Sequence, residues 1–168
     1  MRIVIDPGHG GNDPGAVGKG VFEKDLNLQI AIALRDMLRD SGHNVILTRG
    51  KDTYLTPAQR KLMINKLLPE LFISIHCNAS VNEQASGIET IYRDENDKEL
   101  AKVIQEYLVK ELGLKNRGIK QDIGDLKRRL TVLDVDEDIR AVLIEVGFIT
   151  NEKDLAVIKD TQKVAQAI

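Results

Sequence analysis

Four side chains sit where their chemistry is out of keeping with their neighbours. His9 follows the apolar run Arg2-Ile3-Val4-Ile5, inside Asp6-Pro7-Gly8-His9-Gly10-Gly11. The glycines let the chain turn sharply and leave room beside an imidazole. His76 closes the apolar run Leu71-Phe72-Ile73-Ser74-Ile75-His76. Alternation along a strand places Phe72, Ser74 and His76 on one face and Cys77 on the other, where it reads as a small buried residue. Glu23 opens the first helical pattern. Glu145 lies inside Ala141-Val142-Leu143-Ile144-Glu145-Val146-Gly147-Phe148, where an unpaired carboxylate is costly to bury.

Each residue has a plain structural reading: a turn histidine, a hydrogen-bonded core histidine, an acid favoured by a helix dipole, a salt-bridged acid. Taken together they suggest more. Catalytic zinc takes three protein ligands, two histidines and a carboxylate among the known sets, and leaves a fourth position for water. Such a metal brings the pKa of water down to about 7. Zinc on His9, Glu23 and His76 would carry a single net positive charge, suited to a carbonyl oxygen turning negative. Glu145 would then be free to take a proton from water and pass it to a leaving nitrogen. The ligands are far apart in sequence and do not form the compact HExxH pattern, so spacing alone is a weak signal. The first loop lacks the GxGxxG and GK[ST] patterns of phosphate-cradling loops. Asp13, in Asn12-Asp13-Pro14-Gly15, carries a turn signature and could also position the first loop. His43, in Ser41-Gly42-His43-Asn44, reads as a turn residue without a role.

The elements that must position these residues are legible as an alternation. Val- and Ile-rich runs predict strands over 2–6, 44–48, 71–77, 87–92, 141–146 and, more weakly, 130–133. Between them, Leu26, Ile30, Ala33, Leu34, Met37 and Leu38 fall on one helical face, with Gly42 placed to end the helix. Pro57 opens a second helix that Pro69 stops. A third is predicted over 97–111, and a fourth from Asn151 to the end of the chain. Alternating strands and helices predict a single α/β domain: a mostly parallel, mixed six-stranded sheet with helices on both faces. In such sheets ligands bind beyond the carboxyl ends of the strands, where His9 and His76 fall.

The bulk properties narrow the classes. At 168 residues the chain is one domain with room for a core. A net charge of −2 gives no electrostatic case for nucleic acid. No apolar run is long enough for membrane insertion. With 4% aromatic residues and no Trp, an aromatic sugar-binding platform is not expected. The single cysteine, Cys77, excludes an intrachain disulfide. The chain passes from Met1 straight into a strand without a signal-peptide pattern. That suits a protein made in the cytoplasm, or a trimmed secreted domain. The sequence stops within a helical run, which suggests a longer parent with a further C-terminal module. A monomer is expected.

Four segments, in order, resemble the zinc-dependent N-acetylmuramoyl-L-alanine amidases known as amidase type 3. They are IVIDPGHGGNDPGA, the helix start FEKDLNL, LFISIHCNAS and AVLIEVGFITNEKDL. The resemblance runs from about residue 2 to 158 and makes residues 1–168 an amidase catalytic domain. It implies His9, Glu23 and His76 as zinc ligands and Glu145 as the catalytic carboxylate. It also implies peptidoglycan as the substrate, cut at the amide between N-acetylmuramic acid and L-alanine, with cell-wall degradation or lysis as the outcome. With that resemblance, the missing signal pattern suits a phage lysin or mother-cell lytic enzyme, and the longer parent would carry a C-terminal wall-binding module. The chain departs from the family pattern where an arginine after the VL and a proline before the last strand are usual. Asp134 and Arg140 stand there, which puts peptide-stem preference in question. Cys77 replaces a usual alanine. Some relatives carry an inserted helix that plugs the zinc site; here only Arg93 to Asp97 follows the strand ending at Tyr92, so an open site is expected. A zinc peptidase acting on the stem, and a non-catalytic wall-binding module, are the competing readings.

Overall fold

The computed structural model describes residues 1–168. The chain opens with β1 (Arg2–Pro7), followed by a two-stranded hairpin of β2 (Val17–Gly18) and β3 (Val21–Phe22) and then α1 (Glu23–Asp40). Next come β4 (Asn44–Leu47), α2 (Pro57–Leu67), β5 (Leu71–Asn78), β6 (Ile88–Tyr92) and α3 (Lys98–Leu112). The last elements are β7 (Asn116–Gln121), β8 (Arg140–Phe148), α4 (Glu152–Ile158) and α5 (Thr161–Ala167). The hairpin apart, the strands form one six-stranded sheet in the order β4-β1-β5-β8-β6-β7. Every neighbouring pair is parallel except β6 and β8.

Sheet alternation sorts the core into two layers. Ile3, Ile5, Ile73, Ile75, Val142 and Ile144 face one way and pack with Ile30 and Leu34 of α1, Leu108 of α3 and Val164 of α5. Val4, Phe72, Ile91 and Leu143 face the other way and pack with Ile64 of α2. Helices therefore cover both faces, as the pattern predicts. The helix ends follow their signals. Thr56 and Gln59 make a reciprocal capping box ahead of Pro57. Gly42, at φ 85°, takes the left-handed position after α1.

Three features differ from the sequence expectation. Leu130–Leu133 is not a strand: Thr131–Leu133 is a single 3-10 turn. Its Val132 and Leu133 are apolar because they seal the smaller layer, not because they pair. The sixth strand is β7, Asn-Arg-Gly-Ile-Lys-Gln, at the edge of the sheet. An edge strand needs no continuous apolar run, so its charged composition hides it. The final helical stretch is also two helices: α4 ends near Lys159, and the Asp160 side chain accepts from Lys163 N to start α5.

Candidate metal centre and active site

Three segments meet at the carboxyl end of the parallel strands. The loop after β1 carries His9 in the left-handed region, at φ 61°, followed by Gly10 at φ 132° and Gly11 at φ 58°. A non-glycine residue held there needs compensating contacts. Two buried arginines supply them. Arg49 donates to the carbonyls of Pro7 and Gly8 at 2.9 Å each, and to Lys24 O at 2.8 Å. Arg60 donates to Pro7 O at 2.9 Å and His9 O at 2.7 Å, and pairs with the fully buried Asp6. Asp6 also accepts from Ser74 Oγ at 2.9 Å, so the strand below is bound into the same network.

Glu23, the first residue of α1, is buried. Its Oε2 accepts from Ala16 N at 2.8 Å, and its Oε1 from Cys77 N at 3.0 Å and Asn27 Nδ2 at 3.2 Å. His9 Nε2 lies 3.2 Å from Glu23 Oε2, and His76 Nδ1 lies 3.0 Å from Glu23 Oε1. One ligand atom from each of the three residues falls within 4.8 Å of the others. Asp13 takes the remaining ring nitrogen of His9, with Nδ1 to Oδ2 at 2.8 Å. Asp13 Oδ1 meanwhile accepts from Gly15 N at 3.0 Å, so the turn and orienting readings of this residue both hold. Burial works against charge on His9, but the Glu23 and Asp13 carboxylates raise it to about 9. Burial likewise works against Glu23, and the two imidazoles outweigh it and hold the carboxyl far below the usual range.

The donor set suits a zinc ion. Two imidazoles and a carboxylate are among the ligand sets of catalytic zinc, and the three ligand atoms here lie within 4.8 Å of one another. Two glycines keep the space clear. A Cβ on Gly8 would come within 2.3 Å of His76 Cε1, and one on Gly15 within 2.5 Å of Glu23 Oε2 and 2.6 Å of His9 Cδ2. A carboxylate on the second imidazole nitrogen, as Asp13 provides, is the usual outer support of a metal-binding histidine.

Glu145 lies directly across from His76 in the β5–β8 pairing and across from Glu89 in the β8–β6 pairing. Its Oε2 is buried and has no hydrogen-bond partner. Burial pushes its carboxyl up to about 7; the His76 charge opposes this, and Glu23 and Glu89 add to it. A cavity of about 270 Å³ opens over His9, His76 and Glu145, with Arg60, Arg128 and Leu130 on its walls. His9 and His76 keep side-chain exposures of 25% and 18%, so the cluster faces this cavity. The Arg93–Asp97 segment lies at the opposite end of the sheet, because Tyr92 pairs with Val142 and Glu89 with Glu145.

The remaining sequence candidates fall elsewhere. Cys77 is buried on the other face, its Sγ 3.4 Å from Asn27 Oδ1. His43 sits beside the amino terminus, 3.5 Å away. Asp134 accepts from Lys61 at 2.8 Å, and Arg140 pairs with Asp97 at 3.1 Å. Arg49, Arg60 and Glu89 escape a reading of the sequence alone.

Sheet order and the His-Glu-His cluster define the class: a mixed α/β domain with a candidate metal centre at the carboxyl ends of its parallel strands. Comparison with known proteins gives the family. The family model for N-acetylmuramoyl-L-alanine amidase matches residues 3–168, and the chain belongs to that family and is an enzyme of that class. It is similar to the Bacillus subtilis (strain 168) protein YqiI, at 39% identity over 99% of this chain and 80% of that one. It is also 37% identical to the N-acetylmuramoyl-L-alanine amidase LytC of the same organism, over 99% of this chain but 34% of LytC, so it spans about a third of that relative. Among solved structures it resembles the catalytic domain of CwlV, an N-acetylmuramoyl-L-alanine amidase from Bacillus (Paenibacillus) polymyxa var. colistinus. The TM-score is 0.90 at 35% identity, covering 99% of this chain and 93% of that one.

Proposed function

We propose that residues 1–168 form a zinc-dependent catalytic domain that hydrolyses the amide between N-acetylmuramic acid and L-alanine in peptidoglycan. The observation that carries this reading is the convergence of His9, Glu23 and His76 beside the partnerless carboxyl of Glu145. The substrate bond comes from the family and from the names of LytC and CwlV. It puts the action of the enzyme at the bacterial cell wall.

In this reading His9 Nε2, the Glu23 carboxylate and His76 Nδ1 would hold the metal. Zinc there would supply a Lewis acid able to polarise the scissile carbonyl and acidify water. Asp13 accepts from His9 Nδ1, which turns the Nε2 lone pair inward. Arg49 grips both the loop that carries His9 and the turn of α1 that carries Glu23, and so fixes their separation. Glu145 takes a proton from the attacking water and delivers it to the leaving nitrogen. Water adds to the carbonyl carbon, the C–N bond breaks, and a muramoyl carboxylate and a free alanine amine result. Burial that favours the neutral acid suits a carboxyl that must both accept and release that proton.

Glu145→Gln tests the assignment. The variant should bind one zinc per chain as wild type does, while turnover of peptidoglycan falls by roughly 10²–10⁴-fold. Retained turnover would remove Glu145 from the role of base.

A further inference from the structure

The segment joining β7 to β8 is held far more firmly than an irregular loop requires. Asp122 is fully buried, and its Oδ2 accepts from Arg93 Nη2 at 2.6 Å and Leu130 N at 3.0 Å. Asp134 is met by Lys61 of α2 at 2.8 Å, by Arg93 at 2.7 Å and by Arg129. Lys61 and Arg129 hold its carboxyl down at about 2. Lys127 is in the left-handed region at φ 53°. A non-glycine residue keeps that conformation where its surroundings impose it, and such positions gather at functional sites.

What this fixed loop presents is Arg128. Its neighbours are committed, Arg93 to Asp122 and Asp134, and Arg129 to Asp134. Arg128 is exposed, its backbone N–H donates to Asp122 O at 3.0 Å, and its guanidinium has no carboxylate or carbonyl partner. It forms part of the wall of the cavity over His9 and His76. It also lines an adjoining cavity of about 300 Å³ with Asn78, Glu89 and Glu145. Arg128 and Glu145 are common to both. The other acid in that second cavity, Glu89, is taken by Arg117 at 2.9 Å and Asn78 at 3.3 Å. A cation with no hydrogen-bonded carboxylate thus stands at the junction of two cavities, one of which holds the candidate metal centre; its charge also reaches the Glu145 carboxyl and favours the ionised form there.

A free guanidinium on the wall of a groove calls for an anion from the ligand. Glycan hydroxyls are neutral and make no such demand. A peptide stem leaving the scissile amide does: each residue advances at most about 3.3–3.6 Å, so a carboxylate on the residue after the alanine stands roughly 7 Å on. We propose that Arg128 binds the free α-carboxylate of the stem residue that follows L-alanine. The site would thereby select acidic stems over stems carrying a carboxamide at that position. The inference rests on the amidase reading above.

The test uses the zinc-loaded protein and two synthetic muropeptides. Both are N-acetylmuramoyl-L-alanyl stems, one continuing with γ-linked D-glutamate and the other with its α-amide. Values of kcat and KM are measured separately for wild type, Arg128→Gln and Arg128→Lys, with thermal midpoints to confirm folding. Wild type should favour the acid by about tenfold in kcat/KM, expressed in KM, as one charge-assisted hydrogen bond would give. Arg128→Gln should abolish the preference, and Arg128→Lys should keep part of it. Equal use of both substrates by wild type overturns the proposal. So does an equal fall in kcat on both substrates in Arg128→Gln, which would mean that Arg128 serves Glu145 or the reacting carbonyl. Failure of wild type to cut either substrate would instead sink the amidase reading and this proposal with it.

Discussion

Gly8 is the residue on which the proposed metal centre turns most sharply. The His76 ring occupies the space that a side chain at position 8 would fill, 2.3–2.7 Å from an added Cβ. Gly8→Ala should leave the sheet intact and push the ring off its line to Glu23. Zinc affinity, measured by competition with a chromophoric chelator, should fall tenfold or more, since outer support of this kind is worth about 10–100-fold. Wild-type affinity in this variant would show that His76 is not a ligand. Glu145 gives a second prediction at this scale. Its folded-state pKa, near 7, lies above the ordinary 4.5, so the fold prefers the neutral acid. Wild type is therefore unpenalised below about pH 4.5, loses stability as pH rises from there to 7, and stays penalised above. Metal-free Glu145→Gln lacks that penalty. It should exceed wild type in stability by on the order of 1–3 kcal/mol at pH 8 and match it at pH 4. Denaturant titrations at the two pH values check the sign. His9, Glu23, His76 and Glu145 were readable as candidates because polar groups at strand ends or inside apolar runs are conspicuous. Asp13 was only half readable, because a turn signature and an orienting role use the same residue.

At the scale of elements, the β7–β8 connection behaves as a part of its own. Its ion pairs centre on Asp134, which is 26% exposed. Such pairs contribute little to global stability. Asp134→Ala should accordingly change the unfolding free energy by no more than about 1 kcal/mol. Hydrogen exchange across residues 122–139 should nevertheless quicken several-fold. If exchange there is unchanged, Asp134 does not hold the loop. Strands β1, β5 and β8 were legible because central parallel strands are nearly continuous apolar runs. Edge strand β7 was not, since solvent lies on its open side. The apolar stretch Leu130–Leu133 misleads for the complementary reason: it is buried by α2 and the sheet without pairing as a strand. The break between α4 and α5 is marked by Asp160, a cap residue whose signal is easily lost inside a helical pattern.

For the whole molecule, the sheet does the positioning. His9, His76 and Glu145 all lie at or just beyond the carboxyl ends of strands β1, β5 and β8, which are adjacent in the sheet. Glu23 enters from α1, which packs across β1, β4 and β5. No single segment holds the ligand set, so the set exists only in the folded chain. Zinc binding should therefore raise stability by linkage. At a free metal concentration 100-fold above the dissociation constant the gain is about 2.7 kcal/mol. A rise in thermal midpoint with zinc that vanishes in His9→Ala would bear this out; a zinc-independent midpoint would contradict it.

The central claim is that this chain uses zinc to free the amino group of L-alanine from muramic acid. The most direct measurement strips the metal, supplies purified peptidoglycan, and identifies the new amino termini with and without restored zinc. The account predicts L-alanine amino termini only when zinc is returned. Other amino termini would mean that the metal centre serves a different bond. No termini at all, from protein shown to hold zinc, would contradict the assignment of catalysis to this domain.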